Sequence, residues 1–358
     1  MTRYLLAGGG TAGHVNPLLA MADRLREREP ESEIIVLGTA EGLEARLVPQ
    51  RGYELVVVPK VPFPRRPGRA MLTFPGRFRA MVGSIVQTLE EREVDVVVGV
   101  GGYVAAPAYL AARRARLPMV VHEANARPGM ANRFGSMLTR FVGVAFPGTR
   151  LRHARLVGMP LRREIEELDR HASRAEAIEF FGLDAARQTL LVTGGSLGAK
   201  RINDTVLASA AGVIGAGWQL LHITGERGDL RGQTLKHHHA IDYCDRMDLA
   251  LAVADLAVSR AGSATVSELT ALRIPAVYVP LAIGNGEQRL NARQAVESGA
   301  ARLVDNAVFT PEWVGTSLVP LLQDRRALSE MAGAAASIGM RDGTDRMVGL
   351  IHEAVRIS

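Results

Sequence analysis

Short runs rich in β-branched residues alternate along the chain with longer stretches whose apolar positions recur at helical spacing. In the first half the runs fall at 4–6, 33–37, 54–58, 94–98, 119–122 and 140–144. Val56-Val57-Val58 and Val96-Val97-Val98 show no polar face, the pattern of strands covered on both sides. The alternation then restarts, with strands at 189–192, 218–223, 256–259, 275–279 and 301–304 and helices near 200–213, 263–272, 291–298 and 311–334. Each half predicts a doubly wound parallel sheet with right-handed crossovers. The expected fold is therefore α/β, two Rossmann-like domains facing a cleft. The junction is placed at 157–161, followed by a charged helix over about 163–173, which gives domains 1–160 and 161–342. Ligands of such sheets bind beyond the carboxyl ends of the strands, so the chemistry is sought in the strand-to-helix loops.

A length of 358 residues suffices for two ordinary cores, and 47% apolar with 22% charged residues is a globular profile. No apolar stretch approaches the roughly 18 uncharged residues of a membrane span. Residues 1–8 run from a short apolar stretch into glycine without a signal-peptide core or cleavage site, so they read as the first strand. Cys244 is the only cysteine; no internal disulfide is expected, a reducing cytoplasm fits, and a small buried thiol is its simplest reading. Charge changes the picture more. Residues 1–160 hold 22 Lys/Arg against 13 Asp/Glu, a balance of +9, while 161–358 hold 21 against 24, or −3. Six basic residues and no acid lie between Glu54 and Glu90. The first half is therefore expected to face something anionic, nucleic acid or acidic lipid on charge alone.

Gly8-Gly9-Gly10-Thr11-Ala12-Gly13-His14 follows the first strand and opens a helix, satisfying G-x-G-x-x-G through Gly8, Gly10 and Gly13. A dinucleotide cofactor would also want an acid ending the second strand to hold the ribose. That strand ends Leu37-Gly38-Thr39, which tells against NAD. What remains is backbone open to a ligand and a helix amino terminus suited to an anion. His14, at the helix start and titrating near neutrality, is a candidate general base. Gly194-Gly195-Ser196-Leu197-Gly198-Ala199 repeats the arrangement in the second half, where Ser196 can offer hydroxyl and backbone N–H to a phosphate. One such loop is as well explained by a tight turn; two at matching places favour a nucleotide-type ligand. A third loop leads into 259–268, where Glu268 either favours the helix dipole or accepts a ribose diol. The polar stretch 280–292, with Glu287 and Gln288, suits the hydroxyls of a sugar.

Together these residues resemble the lipid I N-acetylglucosaminyltransferases of peptidoglycan synthesis (MurG type, glycosyltransferase family 28), within the two-domain GT-B class. The resemblance runs along the chain in order, through 8–14, Gly101-Gly102-Tyr103, His122-Glu123-Ala124-Asn125, 157–162, 194–199, 259–268, Gln288 and Asn291-Ala292. It implies inverting transfer of N-acetylglucosamine from UDP-N-acetylglucosamine to the 4-hydroxyl of N-acetylmuramic acid on a polyprenyl-diphosphate-linked pentapeptide. That activity belongs to cell-wall biogenesis and so to cell shape and division. By position it implies His14 as the base, with Thr11, Gly13, Tyr103 and Asn125 bordering the acceptor and the donor sugar. Arg162 and Ser196 would hold the donor diphosphate, Glu268 the ribose diol, Glu287 and Gln288 the sugar hydroxyls, and backbone around Cys244 the uracil edge. The resemblance further implies a carboxy-terminal helix, 343–358, lying back on the first domain, and a peripheral place on the cytoplasmic face of the cell membrane. It implies no metal and no cofactor, UDP-N-acetylglucosamine being a substrate. Two positions depart from the family pattern: Met159 stands where Asn precedes Pro160, and Ala12-Gly13 where a glycine pair precedes His14.

Residues 63–81 interleave Arg65, Arg66, Arg69, Arg77 and Arg79 with Met71, Leu72, Phe74 and Phe78. A solvated loop followed by an ordinary amphipathic helix is one reading. Interfacial binding is the other, with apolar residues sunk at the headgroup boundary and each arginine contributing about 1 kcal/mol over anionic lipid. A polyprenyl-linked acceptor requires such a surface. Nucleic acid is not expected, since aromatics are sparse and no binding module occurs. His237-His238-His239, read as a loop, lacks spaced partners for a metal, and no Asp-x-Asp pair is present. Two rivals share the loops: a UDP-N-acetylglucosamine 2-epimerase, which needs no lipid-docking face, and a non-catalytic nucleotide-sugar-binding protein, which needs no His14.

Overall fold

The computed structural model describes residues 1–61, 69–195, 197–225, 235–281 and 286–357. The chain divides into two compact units, 1–162 with 341–358, and 163–340.

The first unit is built on β1 (Arg3–Gly8), β2 (Glu33–Gly38), β3 (Glu54–Val57), β4 (Val96–Gly101), β5 (Met119–Glu123), β6 (Val142–Val144) and β7 (Ala154–Leu156). They form one sheet in the order β3-β2-β1-β4-β5-β6-β7, parallel at every pairing. Alternate residues of a strand point to opposite faces. Tyr4 and Leu6 therefore join a core with Leu18, Met347 and Ile351, while Leu5 and Ala7 join another with Ile85 and Tyr109. Helices Ala12–Arg28 and Gly343–Arg356 cover the first side, and Arg69–Glu91 and Ala105–Ala115 the second. This double cover explains the unbroken valine run of β4; the run at 56–58 is not so covered, because β3 is the edge strand and Val57 is 52% exposed. β7 was not among the expected strands, because its three residues are exposed and carry no apolar pattern; pairing with β6 alone makes it a strand.

The last helix is fastened by side chains as well as by its apolar face. Asp345 pairs with Arg24 and, at 2.6 Å, with Arg28, and His352 Nε2 lies 2.7 Å from Glu29 Oε1. Met347, Val348, Leu350, Ile351 and Ala354 are buried beneath it. Met159, one of the two departures from the family pattern, is buried where this helix begins. A Cβ on Gly343 would come within 2.3 Å of the Met159 carbonyl oxygen, so the approach depends on glycine.

The second unit is built on β8 (Gln188–Thr193), β9 (Trp218–Ile223), β10 (His238–Ile241), β11 (Ala254–Ser259), β12 (Ala276–Tyr278) and β13 (Ala301–Leu303). Their order is β10-β9-β8-β11-β12-β13, again all parallel. Three expectations are corrected here. The histidine triplet is not a loop: His238 and His239 lie in β10, His238 buried and His239 partly exposed, as alternation along a strand demands. The charged stretch 163–173 is helical only over Arg163–Glu166, because Asp169 Oδ1 accepts from the amides of His171 and Ala172 at 2.9 and 3.1 Å and turns the chain. The expected helix 311–334 is interrupted by a π-helical turn at Val314–Leu318, and a fresh helix, Arg325–Ile338, starts where Asp324 caps Ala327 N at 2.9 Å.

In both sheets the strand order reverses beside the first strand, at β1 and β4 and at β8 and β11. A crevice opens at such a switch point, beyond the carboxyl ends. The glycine loops follow these same four strands. Among the described residues no helix is long and apolar enough to cross a membrane.

Candidate functional site

β1 ends at the first of three glycines, and the next helix begins after Thr11, whose backbone is extended and whose side chain makes no cap bond. The loop is fastened instead by buried Glu44. Its Oε2 accepts from Gly10 N at 2.7 Å, and its Oε1 from the amide and hydroxyl of Thr39 at 3.0 and 2.9 Å. Burial works to raise the Glu44 carboxyl, but these donors prevail and hold it below the usual carboxylate range.

His14 lies in the first helical turn, with Nδ1 3.3 Å from Thr11 Oγ1. A hydrogen on Nδ1 leaves Nε2 as the basic nitrogen. The turn after β4 meets this loop through Gly101 and Gly102, both with positive φ. A Cβ on Gly101 would stand 3.2 Å from His14 Nε2, and one on Gly102 2.7 Å from the Gly9 carbonyl oxygen. Missing side chains thus let the two loops touch and leave Nε2 uncrowded. Burial lowers the His14 pKa, with Glu44 opposing it, so the imidazole is neutral at physiological pH. Tyr103 follows the glycine pair, about half exposed, with Lys60 Nζ 5.3 Å from its ring centroid.

β5 delivers His122 and Glu123, both buried. His122 Nε2 lies 3.1 Å from the Gly158 carbonyl, and burial, against that bond, brings the imidazole down to about 4. Glu123 accepts from Asn125 N at 2.8 Å, Gly129 N at 3.0 Å and Asn132 Nδ2 at 3.0 Å. Burial outweighs these donors and raises its pKa. Asn132 also donates to the His122 carbonyl at 2.9 Å and accepts from Tyr109 at 2.7 Å. This buried network shapes the loop that carries Asn125.

In the second unit β8 leads through Gly194–Ala199 into the helix Lys200–Gly215. Gly198 has φ +75°, and a Cβ there would fall 2.1 Å from the Thr224 carbonyl oxygen. The loop therefore lies backbone to backbone against the end of β9. Asn203 clamps that contact: Nδ2 donates to Thr224 O at 2.9 Å, and Oδ1 lies 3.2 Å from His222 Nε2. The amide orientation requires a hydrogen on His222 Nε2 and none on Nδ1, which then accepts from His238 Nε2 at 3.2 Å. The two rings stack 5.4 Å apart, and burial lowers them to about 3 and about 4 respectively. His238 is thus engaged by another imidazole. Among the described residues no three His, Cys, Asp or Glu side chains converge on a metal position.

β11 leads into the helix Ser263–Ala271, where Glu268 is half-buried. Arg260 Nη1 donates to the carbonyls of Val279 and Pro280 at 2.9 and 3.1 Å and to Asn306 Oδ1 at 2.8 Å. Gln288 Oε1 accepts from Leu281 N at 2.9 Å, and buried Asn291 reaches the Ala261 carbonyl at 3.3 Å. These bonds join the loops after β11 and β12 to the helix Glu287–Glu297 as one surface.

The fold thus brings Thr11, Gly13, His14, Tyr103 and Asn125 to the carboxyl edge of the first sheet, and Glu268, Glu287 and Gln288 to that of the second. Arg162 is half-buried at the end of the first unit's main segment, and Cys244 is buried beyond β10. Ser196, Arg65 and Arg66 lie outside the described residues, as does the side chain of Arg69. On the helix Arg69–Glu91, Met71, Leu72, Arg77 and Arg79 are exposed. Phe74 and Phe78 are half-buried, stack at 5.5 Å and rest on the core, so Met71 and Leu72 carry the helix's apolar surface. Sequence reasoning did not single out Glu44, Asn132 or Asn203. Each has a partner well outside local spacing, Gly10 for Glu44, Tyr109 for Asn132 and Thr224 for Asn203, at 34, 23 and 21 residues.

Residues 4–143 match the glycosyltransferase family 28 N-terminal domain and residues 189–347 the family 28 C-terminal domain. Over 98% of both chains, the protein is 62% identical to the UDP-N-acetylglucosamine--N-acetylmuramyl-(pentapeptide) pyrophosphoryl-undecaprenol N-acetylglucosamine transferase of Leifsonia xyli subsp. xyli. The crystal structure of Acinetobacter baumannii MurG matches with a TM-score of 0.80 at 28% identity, over 99% of this chain and 100% of that one. The UDP-GlcNAc 2-epimerase of Neisseria meningitidis bound to UDP-GlcNAc matches over 99% and 100% with a TM-score of 0.67, but at 15% identity this is a likeness of fold alone. By both domain matches and by identity along almost its whole length, the chain belongs to glycosyltransferase family 28, among its UDP-N-acetylglucosamine--N-acetylmuramyl-(pentapeptide) pyrophosphoryl-undecaprenol N-acetylglucosamine transferases.

Proposed function

We propose that the protein transfers N-acetylglucosamine from UDP-N-acetylglucosamine to the 4-hydroxyl of N-acetylmuramic acid on undecaprenyl-diphosphate-linked pentapeptide, with inversion. The observation that carries this mechanism is His14, an imidazole held neutral by burial with Nε2 left uncrowded beside Gly101. Nε2 takes the hydroxyl proton as the acceptor oxygen attacks C1 of the donor. The bond from C1 to the diphosphate oxygen breaks, and UDP leaves with the electron pair. An α-linked donor gives a β-linked product. The loop Gly194–Ala199 with Ser196, and Arg162, offset charge developing on the leaving diphosphate. Glu268 holds the ribose diol, backbone near Cys244 the uracil edge, and Glu287 and Gln288 the sugar hydroxyls. No metal or cofactor takes part. Exposed Met71, Leu72, Arg77 and Arg79 support a peripheral seat on an anionic membrane, at its cytoplasmic face.

The test is UDP release with and without the lipid-linked acceptor. Release should depend on acceptor and yield a β-linked disaccharide, whereas an epimerase would release no acceptor-dependent UDP. His14→Ala should keep UDP-sugar binding and lower kcat by about 10²–10⁴. Wild-type turnover in that variant would remove His14 from the base role.

A further inference from the structure

The proposed acceptor has three parts in a fixed order: an apolar chain, a diphosphate and a sugar. The assignments above provide for the first and the last, through the exposed apolar residues of helix Arg69–Glu91 and through His14. They assign the diphosphate no side-chain cation, only the open amino terminus after the first glycine loop. We infer that Lys60 is the cation that recognises the acceptor's diphosphate, a role that rests on the glycosyltransferase reading.

The chain holds three lysines, at 60, 200 and 236, against 40 arginines (43 − 3), and Lys60 is the only one in the first unit. It follows β3 at the same carboxyl edge from which the loops after β1 and β4 emerge. Its carbonyl accepts from Arg77 Nη2, on the helix with the exposed apolar face, at 3.4 Å. Its ammonium lies over the Tyr103 ring, 5.3 Å from the centroid. Two residues of chain span at most about 7 Å, so Tyr103 is rooted close to Gly101, the glycine beside His14 Nε2. Contacts therefore run from the lipid-facing helix through Lys60 and Tyr103 to the base. The cation stands partway along that line. In a pyranose the C1 substituent and the 4-hydroxyl sit at opposite ends of the ring, so a sugar with its hydroxyl at His14 directs its C1 diphosphate away from the base.

The electrostatics agree. Lys60 makes no ion pair with a carboxylate among the described residues. The stretch from 55 to 89 contains no acid at all. The aromatic face steadies the ammonium without consuming its three N–H donors. A compact ammonium on a flexible stem can follow phosphoryl oxygens, whereas a guanidinium would lie flat on the ring and present a fixed fork.

The inference is tested by steady-state kinetics of Lys60→Met and Lys60→Arg at saturating donor. Two acceptors are compared, the lipid-linked diphosphate in vesicles and the same sugar-peptide on a short, water-soluble alkyl diphosphate. A sugar-free alkyl diphosphate serves as inhibitor. Lys60→Met should raise KM for both acceptors, and Ki for the inhibitor, on the order of 10- to 100-fold, the loss of one charged hydrogen bond. The kcat and the donor KM should stay at wild-type values, and Lys60→Arg should restore part of the loss. A KM effect confined to vesicles would make Lys60 a membrane-attracting charge and overturn the inference. So would an unchanged KM and Ki. Wild-type enzyme idle on both acceptors would instead overturn the parent reading, and this inference with it.

Discussion

At His14 two effects oppose each other: burial lowers the imidazole pKa and the Glu44 carboxylate raises it. In the proposed role as base, the neutral form is the active one. The acid limb of kcat/KM should therefore lie at lower pH than an ordinary histidine, at about 6.5, would place it. Glu44→Gln removes the raising charge, so the acid limb should move to still lower pH. It also breaks part of the bonding to Gly10 and Thr39, at roughly 1–3 kcal/mol. A pH–rate profile and a thermal melt read the two consequences separately; a lowered melting temperature with an unmoved limb would leave Glu44 only its fastening role. Asn203 permits a similar separation. Asn203→Asp keeps an acceptor for His222 but loses the N–H to Thr224, and Asn203→Ala loses both. If the set of the Gly194–Ala199 loop matters to phosphate, each variant should bind UDP about tenfold more weakly, near 1.4 kcal/mol. Uridine, which lacks phosphate, should bind as to wild type. Calorimetry showing equal losses for both ligands would point to general damage instead.

At the scale of elements, two helices carry different loads. Arg69–Glu91 leaves Met71 and Leu72 exposed beside Arg77 and Arg79. Charge attraction is screened, with a Debye length of about 8 Å at physiological salt, whereas apolar insertion is not. Arg77→Ser with Arg79→Ser should weaken binding to anionic vesicles at low salt and matter little at high salt. Met71→Ser with Leu72→Ser should weaken it at both, as vesicle sedimentation can show. Unchanged sedimentation of both pairs would move the docking surface elsewhere. Gly343–Arg356 is instead a core element, with Ile351 fully buried under it. Ile351→Ala should cost about 2–5 kcal/mol, read as a lower denaturation midpoint of the first unit. A loss under 1 kcal/mol would mean that the helix is only lightly seated. β4, covered on both faces, was legible in the sequence because it is apolar throughout, whereas the equally apolar run 56–58 misled, since edge strand β3 leaves Val57 exposed. β7 was not, because an exposed edge strand needs only a neighbour's hydrogen bonds. β10 was not, because three histidines in a row hide the alternation of burial.

For the whole molecule, the two-sheet plan and the glycine loops were readable because both are local: a strand, its loop and its helix follow one another along the chain. The place of His14, in the first turn after the first glycine loop, was readable for the same reason. Glu44 under the first loop and the Asn203 clamp under the second were not, since each is assembled by folding. The largest non-local feature is the return of the chain to the first unit at Arg341. Its consequence is one of time. A ribosome adds roughly 5–20 residues per second, so the 178 residues of the second unit (340 − 163 + 1) delay the covering helix by about ten to forty seconds. Throughout that interval Leu6, Val36 and Val98 have a sheet to lie in and only part of their cover. A nascent chain stopped before Gly343 should hold this face open to chaperones, while its second unit, contiguous in sequence, can already be complete. The half of the enzyme that leaves the ribosome first is the last to be finished.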